Sequence, residues 1–276
     1  MSFHELHHQG VPFVLPNAWD VPSALAYLAD GFTAIGITSF GVACSAGHPD
    51  GGRAIRSANL ALANALALLP CDVSIDIEDG YSDDPDAVAD YVARLSVAGI
   101  NIEDSTDEKL IDPALAAAKV AAIKQRSPQV FINARVDTYW LHQNADTATT
   151  IERALRYVEA GADGIFVPSA NDRAELAELI RDIPLPLNTL PVPGLTLTDL
   201  GELGVARIST GSAPYRAGSY AAAQSLERCA TDSHCHRPHR MVSCKDAWLS
   251  MRTSRAQRNG SDLTFPGRSS FTVKGG

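Results

Sequence analysis

The segment Val73-Ser-Ile-Asp-Ile-Glu-Asp-Gly-Tyr81 alternates apolar and polar side chains before it reaches a glycine. Alternation with a period of two predicts a β-strand, because successive side chains on a strand point to opposite faces. The pattern predicts that Asp76 and Glu78 lie on one face at the end of this strand. A second apolar run ends in acid at Gly99-Ile-Asn-Ile-Glu-Asp104. Grouped carboxylates are costly unless a positive charge meets them, and their oxygens suit magnesium, with manganese as an alternative.

Units of one apolar strand followed by one helical segment recur from residue 11 to about residue 227. Each strand is short, and Gly or Pro residues separate many of the units. Besides the opening segment, the predicted strands are Phe13–Ala18, Thr33–Ser39, Ile100–Glu103, Val130–Asp137, Gly164–Pro168, Pro186–Leu190 and Ala206–Thr210. Eight such units predict a (β/α)8 barrel, with a doubly wound open sheet as the alternative. The first strand is not followed by Gly-x-Gly-x-x-Gly, which favours the barrel.

The composition limits the classes of partner. The 276 residues carry a net charge of −9, and a nucleic-acid-binding surface would instead need a basic stripe. No apolar run reaches the roughly 18–20 residues of a membrane span. The N-terminal residues lack the pattern of a secretory signal. The five cysteines have no regular spacing, which is typical of a reducing compartment, so we expect a cytoplasmic protein that binds neither nucleic acid nor membrane.

The C-terminal region differs from the rest of the chain. Residues 229–276 contain eight basic and three acidic side chains, and Ser, Arg and Gly dominate. Helical periodicity is weak there. We therefore predict two regions, a barrel domain over residues 1–228 and a basic, irregular tail over residues 229–276.

Polar side chains follow the predicted strands at their C-terminal ends, which form the active-site face of such barrels. Asp76, Glu78 and Glu103 are the predicted metal ligands, some of them through water. Arg135 is predicted to bind a substrate carboxylate or phosphonate through two parallel hydrogen bonds. Asp79 and Asp104 have a structural alternative as helix caps or solvated surface groups. Further polar residues at strand ends are Asn17, Asp20, Ser39, Asp137, Asn188, Ser209 and Thr210.

A glycine-rich loop is predicted at residues 41–52, after the second strand. It is either a plain flexible connection or a lid that closes over a substrate and brings in Asp50 or His48.

Seven motifs in order give the chain a resemblance to a known family. They are Pro16-Asn-Ala-Trp-Asp20, Gly36-Ile-Thr-Ser39, Gly47-His-Pro-Asp-Gly51, Asp76-Ile-Glu-Asp-Gly-Tyr81, Asn101-Ile-Glu-Asp-Ser105, Ile132-Asn-Ala-Arg-Val-Asp137 and Glu159-Ala-Gly-Ala-Asp-Gly164. Together they resemble the isocitrate lyase/phosphoenolpyruvate mutase family over about residues 5–227. The resemblance implies a (β/α)8 barrel and a magnesium-dependent enzyme that makes or breaks C–C or P–C bonds next to an enolate.

The same resemblance implies roles for individual residues. Asp76, Glu78 and Glu103 match the metal-site acids, and Ser39 and Arg135 match the groups that bind the anionic parts of the substrate. Asp50 matches the lid aspartate of the mutase branch. We therefore expect Arg135, Asp50 and Ser39 to be catalytic. Substrate binding is expected from Ser39, Arg135 and Asn188.

The chain also departs from both branches of that family. The place of the lyase branch's Lys-Lys-Cys-Gly-His loop reads Ser105-Thr-Asp-Glu-Lys-Leu-Ile-Asp112, without cysteine. The mutase branch has a lysine-bearing loop at this place, and Lys109 is a loose match to its lysine. We expect a magnesium-dependent lyase-type enzyme for a small 2-oxo or 2-hydroxy dicarboxylate. The alternatives are a P–C bond phosphonomutase or phosphonopyruvate-type hydrolase, and a barrel that binds a metabolite without turnover. The family also implies a homo-oligomer, dimer or tetramer, unless the tail prevents it.

Overall fold

A computed structural model describes residues 1–231, with side chains described through residue 227. Its main sheet has nine parallel strands. Strands β1 (Phe13–Leu15) and β2 (Asn17–Ala18) are two halves of one segment, separated by Pro16. Since β1 pairs with the last strand and β2 pairs with the second unit of the chain, the sheet is nearly closed around an axis. The predicted (β/α)8 barrel is confirmed.

The elements alternate along the chain as the sequence pattern predicted. The remaining strands are β3 Ala34–Ile37, β4 Asp72–Asp76, β5 Gly99–Glu103, β6 Ser105–Thr106, β7 Lys109–Leu110, β8 Phe131–Arg135, β9 Gly164–Phe166, β10 Leu187–Thr189 and β11 Arg207–Ser209. The order of the strands in the main sheet is β1-β11-β10-β9-β8-β5-β4-β3-β2. The helices are α1 Phe3–Leu6, α2 Val21–Ala29, α3 Ser39–Ala46, α4 Arg56–Leu66, α5 Pro85–Val92, α6 Pro113–Arg126, α7 Thr138–Leu141, α8 Thr147–Glu159, α9 Arg173–Asp182, α10 Leu197–Leu203 and α11 Ala213–Thr231.

The predicted loop at residues 41–52 is wrong in its first half, because residues 39–46 form helix α3. Gly47 ends this helix in the left-handed conformation, with a φ of 77°. Gly41 lies inside the helix, where an added Cβ would approach the Cβ of Trp19 to 2.7 Å. Gly41 therefore permits close packing of α3 against Trp19, and does not indicate a flexible loop.

The N-terminal residues close the bottom of the barrel. A capping box between Ser2 and Glu5 starts helix α1, and Phe3 packs edge-on against Phe131 with the ring centroids 5.7 Å apart. His7 stacks on the same ring at 3.8 Å. An added Cβ at Gly99 would lie 2.6 Å from the Phe3 ring, so the strand needs glycine there. These contacts leave the opposite, C-terminal end of the barrel as the open end.

The C-terminal helix α11 continues through Thr231, so residues 229–231 of the predicted irregular tail are helical. The rest of that prediction, over residues 232–276, lies outside the described residues. Within residues 1–231, no helix combines the length and apolarity needed to cross a bilayer.

Candidate active site

Three of the predicted residues converge where neighbouring strands end. Asp76 ends β4, Glu103 ends β5 and Arg135 ends β8. Register pairs Glu103 with Arg135 across the β5–β8 ladder. Arg135 Nη1 donates to Glu103 Oε1 at 2.5 Å and lies 3.8 Å from Asp76 Oδ2. The guanidinium is therefore the counter-ion of both acids in this structure.

Glu78 lies in a turn after β4, and not on the strand as the alternation of side chains predicted. Strand β4 ends at Asp76, and Glu78 adopts the left-handed conformation with a φ of 51° in the turn that follows. The prediction that one strand face carries both acids is wrong, because the strand has already ended. Glu78 is buried, and its Oε2 accepts a hydrogen bond of 2.8 Å from the Arg53 amide. Within the described residues, its Oε1 has no hydrogen-bond partner.

The acids at this end of the barrel carry raised pKa values. Burial raises the pKa of Asp76 to about 6, although Arg135 opposes the shift. Burial likewise raises the pKa of Glu78 to about 7, against the hydrogen bond from the Arg53 amide. Burial also raises the pKa of Glu103 well above its ordinary value, with Arg135 again opposing. One guanidinium thus faces several carboxyl groups, so an additional cation would be stabilised here.

Asp137 holds Arg135 in place from behind. Its fully buried carboxylate accepts from Arg135 Nε at 2.6 Å and from the Ser105 hydroxyl at 2.5 Å. Burial lowers the pKa of Arg135, but Asp137, Glu103 and Asp76 together outweigh it and raise the pKa. Arg135 is therefore a permanent cation of fixed orientation.

The alternative that Asp79 and Asp104 are helix caps or solvated surface groups is wrong, because each is a buried acid with cationic partners. Asp104 accepts from Arg153 Nε at 2.6 Å and from the Tyr157 hydroxyl at 2.7 Å. Burial raises the pKa of Asp104, so its carboxylate depends on these partners to remain charged.

Asp79, which follows β4, is held in a similar way. It accepts from Lys119 Nζ at 3.2 Å and from Arg53 Nε at 3.0 Å. Arg53 joins the segment after α3 to the Glu78–Asp79 turn, because its amide donates to Glu78 and its side chain donates to Asp79. Its backbone is left-handed, with a φ of 59°.

Ser39 and Asp50 both line the cleft above these acids. Ser39 is the first residue of α3, and Asp50 lies in the segment after the Gly47 cap. The cleft walls around the carboxylate raise the pKa of Asp50, while Ser39 and the Arg135 guanidinium oppose the shift, although much of the residue remains exposed.

The rest of the cleft combines a second arginine with an apolar wall. The cleft has a volume of about 610 Å³ including its open mouth, and its apolar lining residues are Phe40, Trp140, Phe166, Pro168 and Leu190. Arg216 lies 4.2 Å over the Phe40 ring, and its Nε donates to Ser212. Among the described residues, no carboxylate lies within 4 Å of Arg216.

Asn188 lies one layer below the cleft. Its amide hydrogen-bonds to Ser209, which lines the cleft, at 3.0 Å. Ser209 also accepts from Arg207 Nε at 3.0 Å, and Arg207 Nη2 donates to Asn101. The structure thus brings Ser39, Asp50, Asp76 and Arg135 to the cleft itself and leaves Asn188 beneath its floor.

The donor set offers a hard divalent cation few direct protein ligands. Asp76 and Glu78 offer carboxylate oxygens, and Glu78 Oε1 is a buried oxygen without a partner among the described residues. Yet among the side chains of residues 1–227, no three acidic, imidazole or thiol groups stand close enough together to hold an ion directly. This arrangement fits magnesium, which keeps several water ligands and takes one or two carboxylates.

Sequence reasoning missed the cationic partners of the buried acids, although a signal was present. Lys119 and Arg153 lie on the buried faces of α6 and α8, beside Val120 and Ala154. A charged residue within an apolar helical stripe indicates a buried partner. Trp140 and Arg216 carried no comparable signal.

Comparison with known proteins identifies relatives. A sequence model described as phosphoenolpyruvate phosphomutase matches residues 3–230. An uncharacterised protein of Mycobacterium tuberculosis is 79% identical over 223 residues, which cover 81% of this chain and 86% of that protein. The 2-methylisocitrate lyase of Bacillus subtilis is 30% identical over 190 residues, which cover 63% of this chain and 60% of that enzyme.

Solved structures also share the fold, one of them at lower identity. A phosphonopyruvate hydrolase crystallised with oxalate and Mg²⁺ superposes with a TM-score of 0.77 at 22% identity, over 94% of this chain and 98% of that one. At this identity the likeness concerns the fold alone.

Proposed function

The chain belongs to the phosphoenolpyruvate phosphomutase family, within the isocitrate lyase/phosphoenolpyruvate mutase superfamily, and from this premise we propose a magnesium-dependent lyase. Its substrate is a small 2-oxo or 2-hydroxy dicarboxylate, cleaved through an enolate intermediate. The observation that carries the proposal is the convergence of Asp76, Glu103 and Arg135 at the strand ends, where acids outnumber the one cation.

The acids are the proposed metal site. Asp76, Glu78 and Glu103 would hold magnesium, or manganese in its place, partly through water. The bound ion would act as a Lewis acid that stabilises negative charge on the substrate oxygen. The ion bound by the related phosphonopyruvate hydrolase is consistent with this assignment.

The arginines are the proposed anion sites. Arg135, held by Asp137, keeps a fixed positive charge beside the acids and would bind the carboxylate next to the reacting carbon. Arg216 has no carboxylate within 4 Å among the described residues and would bind the distal carboxylate. Ser39 would donate a hydrogen bond, and Asn188 would support the cleft floor through Ser209.

Asp50 is the proposed proton carrier. It lines the cleft beside Ser39, and its raised pKa suits a group that gains and loses a proton during turnover. Asp50 also supports a second candidate, a phosphonopyruvate-type hydrolase or phosphonomutase. The described lining of the cleft contains no cysteine that could take over the role of Asp50.

Isothermal titration calorimetry with oxalate, an enolate mimic, tests the metal site. We expect oxalate to bind the parent protein with magnesium and not in EDTA. Asp76→Asn should weaken that binding at least about 100-fold, because a neutral amide is a poor magnesium ligand. Asp90→Asn, the same change at an exposed acid on α5, is the matched control. Oxalate binding that does not depend on magnesium would exclude the metal assignment.

A substrate panel separates the reactions. Release of a 2-oxo acid from a dicarboxylate supports the lyase, whereas phosphate release from phosphonopyruvate supports the hydrolase. Magnesium-dependent oxalate binding without turnover of any panel member would favour a metabolite-binding barrel. We also propose a cytoplasmic homo-oligomer, dimer or tetramer, which light scattering coupled to size-exclusion chromatography tests.

A further inference from the structure

Trp140 is a large apolar side chain that stays half exposed inside the cleft. It lies on the short helix α7, directly after the strand that carries Arg135, and 49% of its surface is exposed. An indole of this size usually buries most of its area, because it contributes strongly when it leaves water. Its position on the cleft lining makes a bound ligand the group that would cover it.

Arg135 lies between Trp140 and Phe166. Its guanidinium carbon is 5.4 Å from the Trp140 ring centroid and 5.7 Å from that of Phe166. Both rings therefore contact the cation that would hold the carboxylate next to the reacting carbon. A substituent on that part of the substrate would extend along the aromatic wall.

The apolar wall does not match an unbranched dicarboxylate. Such a substrate has a polar group at each end and only one methylene to cover aromatic surface. Phe40, Leu190 and Pro168 are the other apolar residues of the cleft lining. The residues are thus arranged for a ligand with anionic groups at the arginines and an apolar group beside Trp140.

We propose that Trp140 is a specificity-determining residue that, with Phe166, selects 2-oxo acids bearing a bulky apolar substituent on carbon 3, of which an aromatic ring is the best fit. This inference rests on the proposed function, because it places the 2-oxo acid group at the acids and Arg135. It adds the chemical class of the remainder of the substrate.

Calorimetry with three probes in the presence of magnesium tests the assignment. Oxalate occupies only the part of the cleft at the acids and Arg135. Pyruvate carries a methyl group beside its 2-oxo acid group, and phenylpyruvate carries a phenyl ring on that methyl carbon. Burial of the ring should make phenylpyruvate bind the parent protein about 10- to 100-fold more tightly than pyruvate. Trp140→Ala should remove most of this preference and change oxalate affinity less than about threefold, while Trp140→Phe should retain part of it.

Leu197→Ala is the matched control, because Leu197 is 50% exposed on α10 and does not line the cleft. It should leave all three affinities unchanged. Equal binding of pyruvate and phenylpyruvate to the parent protein would overturn the inference, as would a preference that survives Trp140→Ala. An equal loss for all three probes in Trp140→Ala would show that the indole only orients Arg135. Failure of oxalate to bind the parent protein would instead contradict the proposed function.

Discussion

The acids grouped around Arg135 differ from the buried acids held by other cations in what surrounds them. Glu103 and Asp104 are neighbours in the chain, yet Glu103 shares the guanidinium of Arg135 with other acids, whereas Asp104 has Arg153, Tyr157 and the Asp137 amide to itself. The first group has more negative charge than its partners neutralise, and the second is satisfied. Two consecutive acids at the end of one strand thus have different partners, Glu103 a shared guanidinium and Asp104 an arginine that pairs with no other acid among the described residues.

The largest effect should come from removing a satisfied acid. Asp104→Ala leaves Arg153 buried without its carboxylate, so we expect the free energy of unfolding to fall by about 3–5 kcal/mol. Urea denaturation followed by circular dichroism measures this. If the free energy of unfolding fell by less than about 1 kcal/mol, Asp104 would not stabilise the fold as a fully paired buried acid should.

His7 belongs to neither set of acids, and it tests whether another buried titratable side chain also contributes to stability. Burial, with Arg207 nearby, lowers the pKa of His7 from 6.5 to about 3. The unfolded chain therefore takes up the proton first, so stability is complete above pH 6.5 and falls as the pH drops below it. The contribution lost between pH 6.5 and 5 should be about 2 kcal/mol.

The measurement is the free energy of unfolding at several pH values for the parent protein and His7→Gln. Gln does not titrate, so the variant should lose less stability than the parent over that interval. Parallel curves for the two proteins would contradict the assignment.

A smaller effect is expected from a cleft acid. Asp76→Asn keeps an oxygen that can accept from the Glu78 amide and removes a charge whose burial is unfavourable. The free energy of unfolding should therefore change by less than about 1 kcal/mol, even though oxalate binding is lost. Thermal melting without magnesium checks this, and a large drop would assign Asp76 to support.

The smallest effect should come from an ion pair at the surface. Arg126 and Asp90 form such a pair, with side chains 50% and 61% exposed. Arg126→Ala should change the free energy of unfolding by less than about 0.5 kcal/mol, because solvent screens the pair. Urea denaturation beside Asp104→Ala provides the comparison, and a similar loss in both variants would mean that burial does not separate the acids.

The barrel and the family were predictable from the sequence because both rest on local patterns. Strand alternation and the Gly and Pro residues that separate the units act within a few residues. Asp76, Glu103 and Arg135 were found as a group because parallel strands bring their C-terminal ends to the same edge.

The failures concern contacts between residues far apart in the chain. Asp79 lies 40 residues from Lys119, and Asp104 lies 49 residues from Arg153, so no local pattern pairs them.

The position of Glu78 was misjudged because alternation was extended past the end of the strand. Helix α3 was missed because Gly41 indicated a loop, whereas its reason is the close approach of Trp19.

The contact between Phe3 and Gly99 constrains how the sequence can drift. The ring stands where any side chain at position 99 would begin, so the two positions cannot vary independently. An alanine at 99 therefore requires a background in which Phe3 has already become smaller, and its Cβ would still lie 3.2 Å from the Phe131 carbonyl oxygen. If the alanine comes first, the intermediate sequence carries the clash with the Phe3 ring. The order of substitution, and not only the final pair, therefore decides which neighbouring sequences this barrel can reach.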